Sequence, residues 1–368
     1  MSLDDARKQI DSIDDQILTL LDQRADVVSD VRRAKQAEHA PSYDPERERQ
    51  LLDRLAARAG RFPKEAIRSV YREVMSACLA LQEPTKVAFL GPEGTFSHAA
   101  ARAFFGLAAS YLEATTIDGV FDALRKKEVT YGVVPLENST EGAVTDAVDA
   151  LIDSARWEDS TADADLLIRQ ELVMEVSQCL LTRATGLTQI RRVLSHPQPL
   201  GQCRMWLAKN LGTVQLVQTT STATAVREAA SDPESAAIGS RLAGDLYGVP
   251  IIRERIQDRE GNATRFVMLA HEDAPRTGRD KTTVVFSVKD GRGALLRVLE
   301  VFDREEINLT RIESRPSQRR AWDYVFLTDF EGHRDDSNIV KAMSELRERC
   351  PLVRHLGSYP RAPASPSR

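Results

Sequence analysis

From Leu3 to Ala37 the chain contains neither glycine nor proline, and Leu3, Ala6, Ile10, Ile13, Ile17, Leu20, Val27, Val31 and Ala34 recur at steps of three and four residues. This run predicts one helix of about nine turns. A helix of that length cannot cover its own apolar seam, so the seam needs partners. Asp44-Pro45 then offers a polar cap followed by proline at the first helical position, predicting a helix over Pro45–Ala59 that stops at Gly60. Pro63–Leu81 repeats the period through Ile67, Val70, Tyr71, Val74, Met75, Cys78 and Leu79. One long and two shorter helices make a first module, residues 1–85.

At 368 residues the chain has room for two or three cores, taking roughly 150 residues per domain. Its 42% apolar and 29% charged residues are those of an ordinary globular protein. The net charge of -5 comes from acids and bases mixed along the whole length, so no basic stripe exists to neutralise a phosphate backbone, and nucleic-acid binding is not expected. The acidic start lacks the pattern of a secretory signal, and no uncharged apolar run reaches the length of a membrane span. Four scattered cysteines with no C-x-x-C pair read as buried free thiols of a cytoplasmic chain.

After Glu83-Pro84-Thr85 the pattern changes to strand, loop and helix in alternation, which predicts α/β architecture over residues 86–272. Strands are expected at Lys86–Leu90, Tyr131–Pro135, Leu172–Leu181, Arg192–Ser195, Val214–Gln218, Ala236–Ile238, Ile251–Ile256 and Thr264–Ala270. The polar stretch 153–165 reads as a surface loop. A second linker, His271–Arg279, precedes strand Thr282–Val288, helix Ala294–Arg304, strands Asn308–Arg315 and Ala321–Phe330, helix Asp335–Arg349 and strand Leu352–Tyr359. That βαββαβ order, over residues 279–360, is α+β and ferredoxin-like. The tail, 361–368, is rich in proline and small polar residues and reads as disordered.

The apolar seam of the long helix is interrupted in register at Arg24, and a buried arginine needs a partner. Lys35 lies about 20° around the axis from Arg24 and about 16 Å along it, so both cations can serve one pocket. With no carboxylate on that face, an anionic ligand is implied. Arg7 is about 26 Å from Arg24 and turned by about 100°, so it can join such a site only from another copy of the helix.

Arg7, Arg24, Lys35, Asp44, Arg47, Glu48 and Gln82 stand at the spacings of the all-helical chorismate mutase fused to bacterial prephenate dehydratases, and the module resembles that family. The resemblance implies an intertwined dimer in which Arg7 of one chain and Arg24 and Arg47 of the other hold the carboxylates of chorismate. Lys35 and Gln82 would face the ether oxygen, and Glu48 the ring hydroxyl. Cys78 stands where several relatives carry serine, and it reads either as a site group or as a core thiol.

Four further segments resemble the motifs of prephenate dehydratase, in that family's order. They are Gly91-Pro92-Glu93-Gly94-Thr95-Phe96-Ser97, Pro135-Leu136-Glu137-Asn138-Ser139-Thr140-Glu141-Gly142, Ser195-His196-Pro197-Gln198 and Asn262-Ala263-Thr264-Arg265-Phe266. Read alone, the first is a strand-to-helix turn able to receive a carboxylate, and it is not the dinucleotide fingerprint G-x-G-x-x-G. His196 alone reads as a structural residue or a base. The resemblance implies two α/β lobes around a cleft, as in the type II periplasmic binding proteins. Thr264 would be the proton donor, working with Asn138, Ser195 and Gln202. Arg265 would anchor a substrate carboxylate, and Thr95, Ser97, Glu137, Ser139, Thr140, His196 and Phe266 would line the substrate site.

Gly293-Ala294-Leu295-Leu296 and Glu313-Ser314-Arg315-Pro316 match the phenylalanine-binding motifs of the ACT domain in this family. The resemblance therefore implies an enzyme taking chorismate to prephenate and on to phenylpyruvate, inhibited by phenylalanine. It implies no metal or organic cofactor, and a homodimer with further association left open. Two alternatives stay open at this point, a dehydratase whose mutase is weakened at Cys78 and a non-catalytic amino-acid sensor.

Overall fold

The computed structural model describes residues 1–38, 43–154, 165–212, 214–289, 291–316 and 324–363. Most of the expected loop 153–165 and of the tail 361–368 therefore lies outside the described residues. The chain divides into two compact units, Met1–Lys86 with Phe104–Ser110, and Val87–Ala103 with Tyr111–Arg368.

The first unit holds α1 (Leu3–Glu38), α2 (Pro45–Ala57) and α3 (Lys64–Gln82). Asp44 caps α2, its carboxylate accepting the Arg47 N–H at 3.0 Å, and Pro45 opens the helix. Helices α1 and α2 both pack on α3. Among the described residues of α1 only Val28 is buried; Leu3, Ile10, Ile13, Ile17, Leu18 and Leu20 each remain at least half exposed. The apolar seam is thus uncovered within its own chain.

The second unit begins with β1 (Lys86–Leu90), α4 (Phe96–Phe105), β2 (Ser110–Ala114), α5 (Ile117–Arg125), β3 (Tyr131–Asn138), β4 (Gly142–Ala143), α6 (Thr145–Asp153) and β5 (Leu167–Glu175). It continues with β6 (Cys179–Thr182), β7 (Arg192–Ser195), α7 (Pro197–Gln202), α8 (Arg204–Leu211), β8 (Gln215–Gln218), α9 (Thr222–Ala229), β9 (Ser235–Gly239), α10 (Arg241–Tyr247), β10 (Ile251–Arg253) and β11 (Ala263–Ala270). These form two sheets, ordered β2-β1-β3-β11-β5 with β4 on β3, and β10-β6-β9-β7-β8.

The expected single strand Leu172–Leu181 is two strands in different sheets. At Val176–Gln178 the chain crosses from one lobe to the other, and residues 254–262 bring it back alongside. The two crossings are laced together: Val176 N–H reaches Asn262 O at 2.8 Å, Ile256 N–H reaches Gln178 O at 3.0 Å, and Gln178 N–H reaches Gln257 Oε1 at 3.0 Å. Neither Leu172–Leu181 nor Ile251–Ile256 contains a glycine or proline to mark a crossing, so the residue pattern reads as unbroken strand. For the same reason the strand expected to reach Ile256 ends at Arg253.

The remainder is β12 (Asp280–Ser287), α11 (Ala294–Arg304), β13 (Leu309–Pro316), β14 (Tyr324–Glu331), α12 (Ser337–Arg349) and β15 (Leu352–Pro360), with the ferredoxin-like order β13-β14-β12-β15. This sheet shares an apolar core with the first lobe: Val285, Val325, Leu327 and Leu356 pack in one cluster with Val134, Leu136, Leu151 and Val267. β15 lies against β5 so closely that a Cβ on Gly357, whose φ is +134°, would sit 2.8 Å from Ile168 N. Gly357→Ala therefore meets both backbone strain and overlap. It is expected to cost about 2–4 kcal/mol and to lower the thermal midpoint of this unit, read by calorimetry.

Candidate active sites

In the helical unit a cavity of about 350 Å3 is lined by Arg24, Lys35, Asp44, Arg47, Glu48, Cys78 and Gln82, seven residues whose spacing along the chain marks them as a group. Arg24 Nη1 donates to Cys78 Sγ, so the thiol orients a guanidinium. Gln82 Oε1 is buried with no hydrogen-bond partner among the described residues, a polar capacity that a ligand can use. Burial lowers the Lys35 ammonium, with Asp44 acting against that shift. Burial pushes the Glu48 carboxyl up to about 7, with Arg72 and the Tyr43 hydrogen bond pulling it back. Arg7 is not part of this pocket: it is exposed and 3.6 Å from Asp4.

Arg72 belongs to the site although the spacing argument built on the long helix does not reach it. A signal exists on α3 itself, where Arg72, Met75, Leu79 and Gln82 follow one another at helical steps, and all four line the cavity. Charge on both sides of that pocket is therefore larger than the long helix alone suggests.

Between the two lobes a cavity of about 490 Å3 is lined by Thr140, Glu141, Gln198, Gln202 and Asn262, with Arg204 and Arg259 as its cations. At its side a polar chain begins at Thr264. Asn138 Nδ2 donates to Thr264 Oγ1 and to Asn262 Oδ1, each at 2.9 Å. Asn138 Oδ1 in turn accepts from Thr140 N–H at 3.0 Å and Thr140 Oγ1 at 2.6 Å. Both ends of the Asn138 amide are thereby fixed, and because Thr264 Oγ1 is already an acceptor, its own O–H points elsewhere and remains a donor. Gln202 extends the chain, its Oε1 3.5 Å from Asn262 Nδ2 and its Nε2 3.4 Å from Glu141.

The Chorismate mutase type II family matches residues 6–83, the Prephenate dehydratase family residues 87–274, and the ACT domain residues 282–348. The chain is 42% identical to the bifunctional chorismate mutase/prephenate dehydratase of Aquifex aeolicus (strain VF5) over 98% of both chains. It belongs to that family. It is 39% identical to the bifunctional chorismate mutase/prephenate dehydratase of Pseudomonas aeruginosa over 97% of each. Among solved structures, the prephenate dehydratase of Arthrobacter aurescens in complex with L-Phe superposes with a TM-score of 0.68 at 34% identity, covering 77% of this chain and 92% of that one.

Within this bifunctional chorismate mutase/prephenate dehydratase fold, several expected roles change. Arg265 is not free to anchor a substrate. Its Nε is 2.7 Å from Glu171, its Nη1 2.5 Å from Asp329 and its Nη2 2.8 Å from the Tyr359 hydroxyl, all buried. Neighbours on a strand point to opposite faces, so Thr264 meets the polar chain while Arg265 enters the junction with the ferredoxin-like sheet. Phe266 is 1% exposed and is core. Ser195 is buried and donates to Ile238 O at 2.8 Å, a partner inside the second lobe. His196 caps α7, its Nδ1 accepting the Gln198 N–H at 3.4 Å. Thr95 caps α4, bonding Leu90 O at 3.1 Å, and Ser97 is buried in that helix's first turn. Glu137 lies 3.7 Å from Arg311, and Ser139 tethers Ala263 N–H at 2.9 Å.

In the ferredoxin-like sheet, Gly293 takes φ +74° at the start of α11, which Ala294 opens, and Leu295 packs on the core while Leu296 is exposed. Glu313, Ser314, Arg315 and Pro316 lie on the edge strand β13. Arg315 differs from expectation, since its forked donors are taken by Asp149 of α6 at 2.9 and 2.7 Å.

Glu48 supplies a pH test of the helical pocket. Its folded value is raised from 4.5 to about 7, so its contribution to stability is full below about 4.5 and is lost as pH rises through about 7. Between pH 4.5 and 8, unfolding free energies from denaturant titration are expected to shift in favour of Glu48→Gln over the parent by up to about 3 kcal/mol.

Proposed function

We infer that the two reactions of this family occupy the two cavities separately, the rearrangement of chorismate to prephenate in the helical pocket and the decarboxylation and dehydration of prephenate to phenylpyruvate in the interlobe cleft. The observation that carries the first assignment is the convergence of Arg24, Lys35, Arg47 and Gln82 on one cavity. A pericyclic shift needs no nucleophile and no proton transfer. It needs a dianion held in its reactive conformer and donors aimed at the oxygen that gains charge as the C–O bond breaks. Arg24, oriented by Cys78, and Arg47 hold carboxylates, while Lys35 and Gln82 face the ether oxygen. Arg7 completes the site from a second copy, and the exposed Ile10, Ile13 and Ile17 of α1 supply the surface such a dimer would bury.

In the cleft, the ring hydroxyl must leave with a proton as the ring carboxylate departs as carbon dioxide. Thr264, held by Asn138, donates at that hydroxyl, which leaves as water; the Asn138 Nδ2–H supports the oxygen left on Thr264, and solvent in the cleft returns its proton. An alcohol is a weak acid near neutral pH, so positioning within the chain carries the step. With Arg265 committed elsewhere, Arg204 and Arg259 take its place as anchors for the pyruvyl carboxylate. The departing carboxylate is better left without a cation, because holding it would stabilise the ground state.

Phenylalanine is assigned to the edge formed by the Gly293 and Glu313 motifs, a reading supported by the L-Phe complex of the Arthrobacter aurescens relative. Its signal reaches the dehydratase lobe through the Arg315–Asp149 pair. The four cysteines are free and buried, and among the described residues no helix is long and apolar enough to cross a membrane, which agrees with a cytoplasmic setting.

Two assays on the purified chain, one started with chorismate and one with prephenate, test the assignment. Arg24→Ala is expected to lower mutase kcat/KM by about 100-fold or more and to leave prephenate turnover intact; Thr264→Ala is expected to do the reverse. Loss of both activities in either variant would refute separate sites. Asp149→Ala should raise the phenylalanine concentration for half-inhibition about three- to tenfold while calorimetric binding of phenylalanine persists.

A further inference from the structure

The helical unit contains a stretch that comes from the span of another family match. Residues 104–110 lie inside the span of the dehydratase match, yet they belong to the compact helical unit. Phe104 and Phe105 line the same cavity as Arg24 and Glu48, and both are buried there. The Phe105 ring packs on Tyr43 with centroids 5.4 Å apart, and Tyr43 is the residue hydrogen-bonded to Glu48.

The stretch is fastened rather than merely adjacent. The Ser76 hydroxyl, buried on α3, donates to Phe105 O and accepts the Ala108 N–H at 3.1 Å. Glu73 accepts the Leu107 N–H at 2.9 Å. Gly106 permits the turn between them: its φ is +69°, and a Cβ there would stand 2.6 Å from the Ser76 hydroxyl oxygen. Held by Ser76 and Glu73 on α3, the segment keeps its two phenyl rings at the cavity wall.

We propose that Phe105, clamped by Ser76 and Glu73, is a substrate-positioning wall of the mutase site, so that this site is completed by a segment of the dehydratase sequence. The wall acts in two ways. It gives the carbocyclic ring of chorismate an apolar face to pack on. It also keeps water from the cations and from Glu48, which strengthens their grip on a dianion in the reduced local dielectric. The inference rests on the helical cavity being the mutase site.

The test uses the full chain. Phe105→Ala should raise the mutase KM for chorismate about tenfold, the worth of one good aromatic contact, with kcat changed much less. Turnover of prephenate supplied directly should be unchanged. Mutase kcat/KM is expected to follow the protonation of Glu48, which burial holds at about 7, and in Phe105→Ala that midpoint should fall toward the ordinary 4.5, because water then reaches the carboxylate. Phe105→Leu, which keeps an apolar wall, should restore most of the KM and the midpoint. Should Phe105→Ala depress both activities together, Ser76→Ala decides: it is expected to raise mutase KM about threefold with dehydratase intact, by releasing the clamp. A mutase KM and midpoint unchanged in Ser76→Ala, or in a well-folded Phe105→Ala, would overturn the inference. Arg24→Ala assayed alongside separates the two failures, since full mutase activity in that variant would remove the site assignment itself.

Discussion

The guanidinium of Arg265 is the interaction on which the larger unit depends. It is buried with three oxygen partners from three strands, Glu171 on β5, Asp329 on β14 and Tyr359 on β15. Lys281 adds a second cation on Glu171 at 2.9 Å, and Thr283 donates to Asp329 at 2.7 Å. Burial works to raise the Asp329 carboxyl, but Arg265 and the Thr283 hydroxyl outweigh it and hold the group below its ordinary value. A charge in such a place is tolerated only because every partner is present, so removing one would leave the rest exposed to the full desolvation cost. The cluster thus fixes one geometry for the joint between β11 and the ferredoxin-like sheet.

That joint explains why the motif Thr264-Arg265 serves two masters. Adjacent residues on β11 face opposite ways, one toward the cleft and one toward the ferredoxin-like sheet. A displacement of β14 or β15 therefore acts on the strand that carries Thr264. The pair Arg315–Asp149 forms a second tie, from the edge strand β13 to α6 of the same lobe. Two charged ties at separate points resist rotation as well as translation, which a single contact would not.

Much of this architecture is legible in the amino-acid chain alone. The period of α1, the cap at Asp44 and the βαββαβ order all depend on neighbours a few residues apart. The cavity of the helical unit is legible in part, because helix pitch brings Arg24 and Lys35 to one pocket, while Glu48 and Gln82, on two other helices, are read only from the resemblance. Residues whose meaning lies in distant partners are not. Arg265 finds Glu171 and Tyr359 each 94 positions away, and Ser195 bonds a carbonyl 43 positions on. A motif states which residue types occur together, and it does not state which face of a strand each one takes. The break between β5 and β6 is hidden for a related reason, since no glycine or proline marks where the chain leaves one sheet for the other.

The crossings at Val176–Gln178 and 254–262 place Asn262 and Thr264 at a fulcrum. Asn262 and Gln178 sit on the two connecting segments, and Thr264 follows directly at the start of β11. Residues at a pivot sweep through small arcs while those at the rim, such as Gln198 and Arg204 on the second lobe, sweep through large ones. Opening and closing would therefore move Gln198 and Arg204 relative to the first lobe and leave the Asn138–Thr264 geometry nearly constant. In such a lever, a tie to the ferredoxin-like sheet has more purchase on the width of the cleft than on the contact between Asn138 and Thr264.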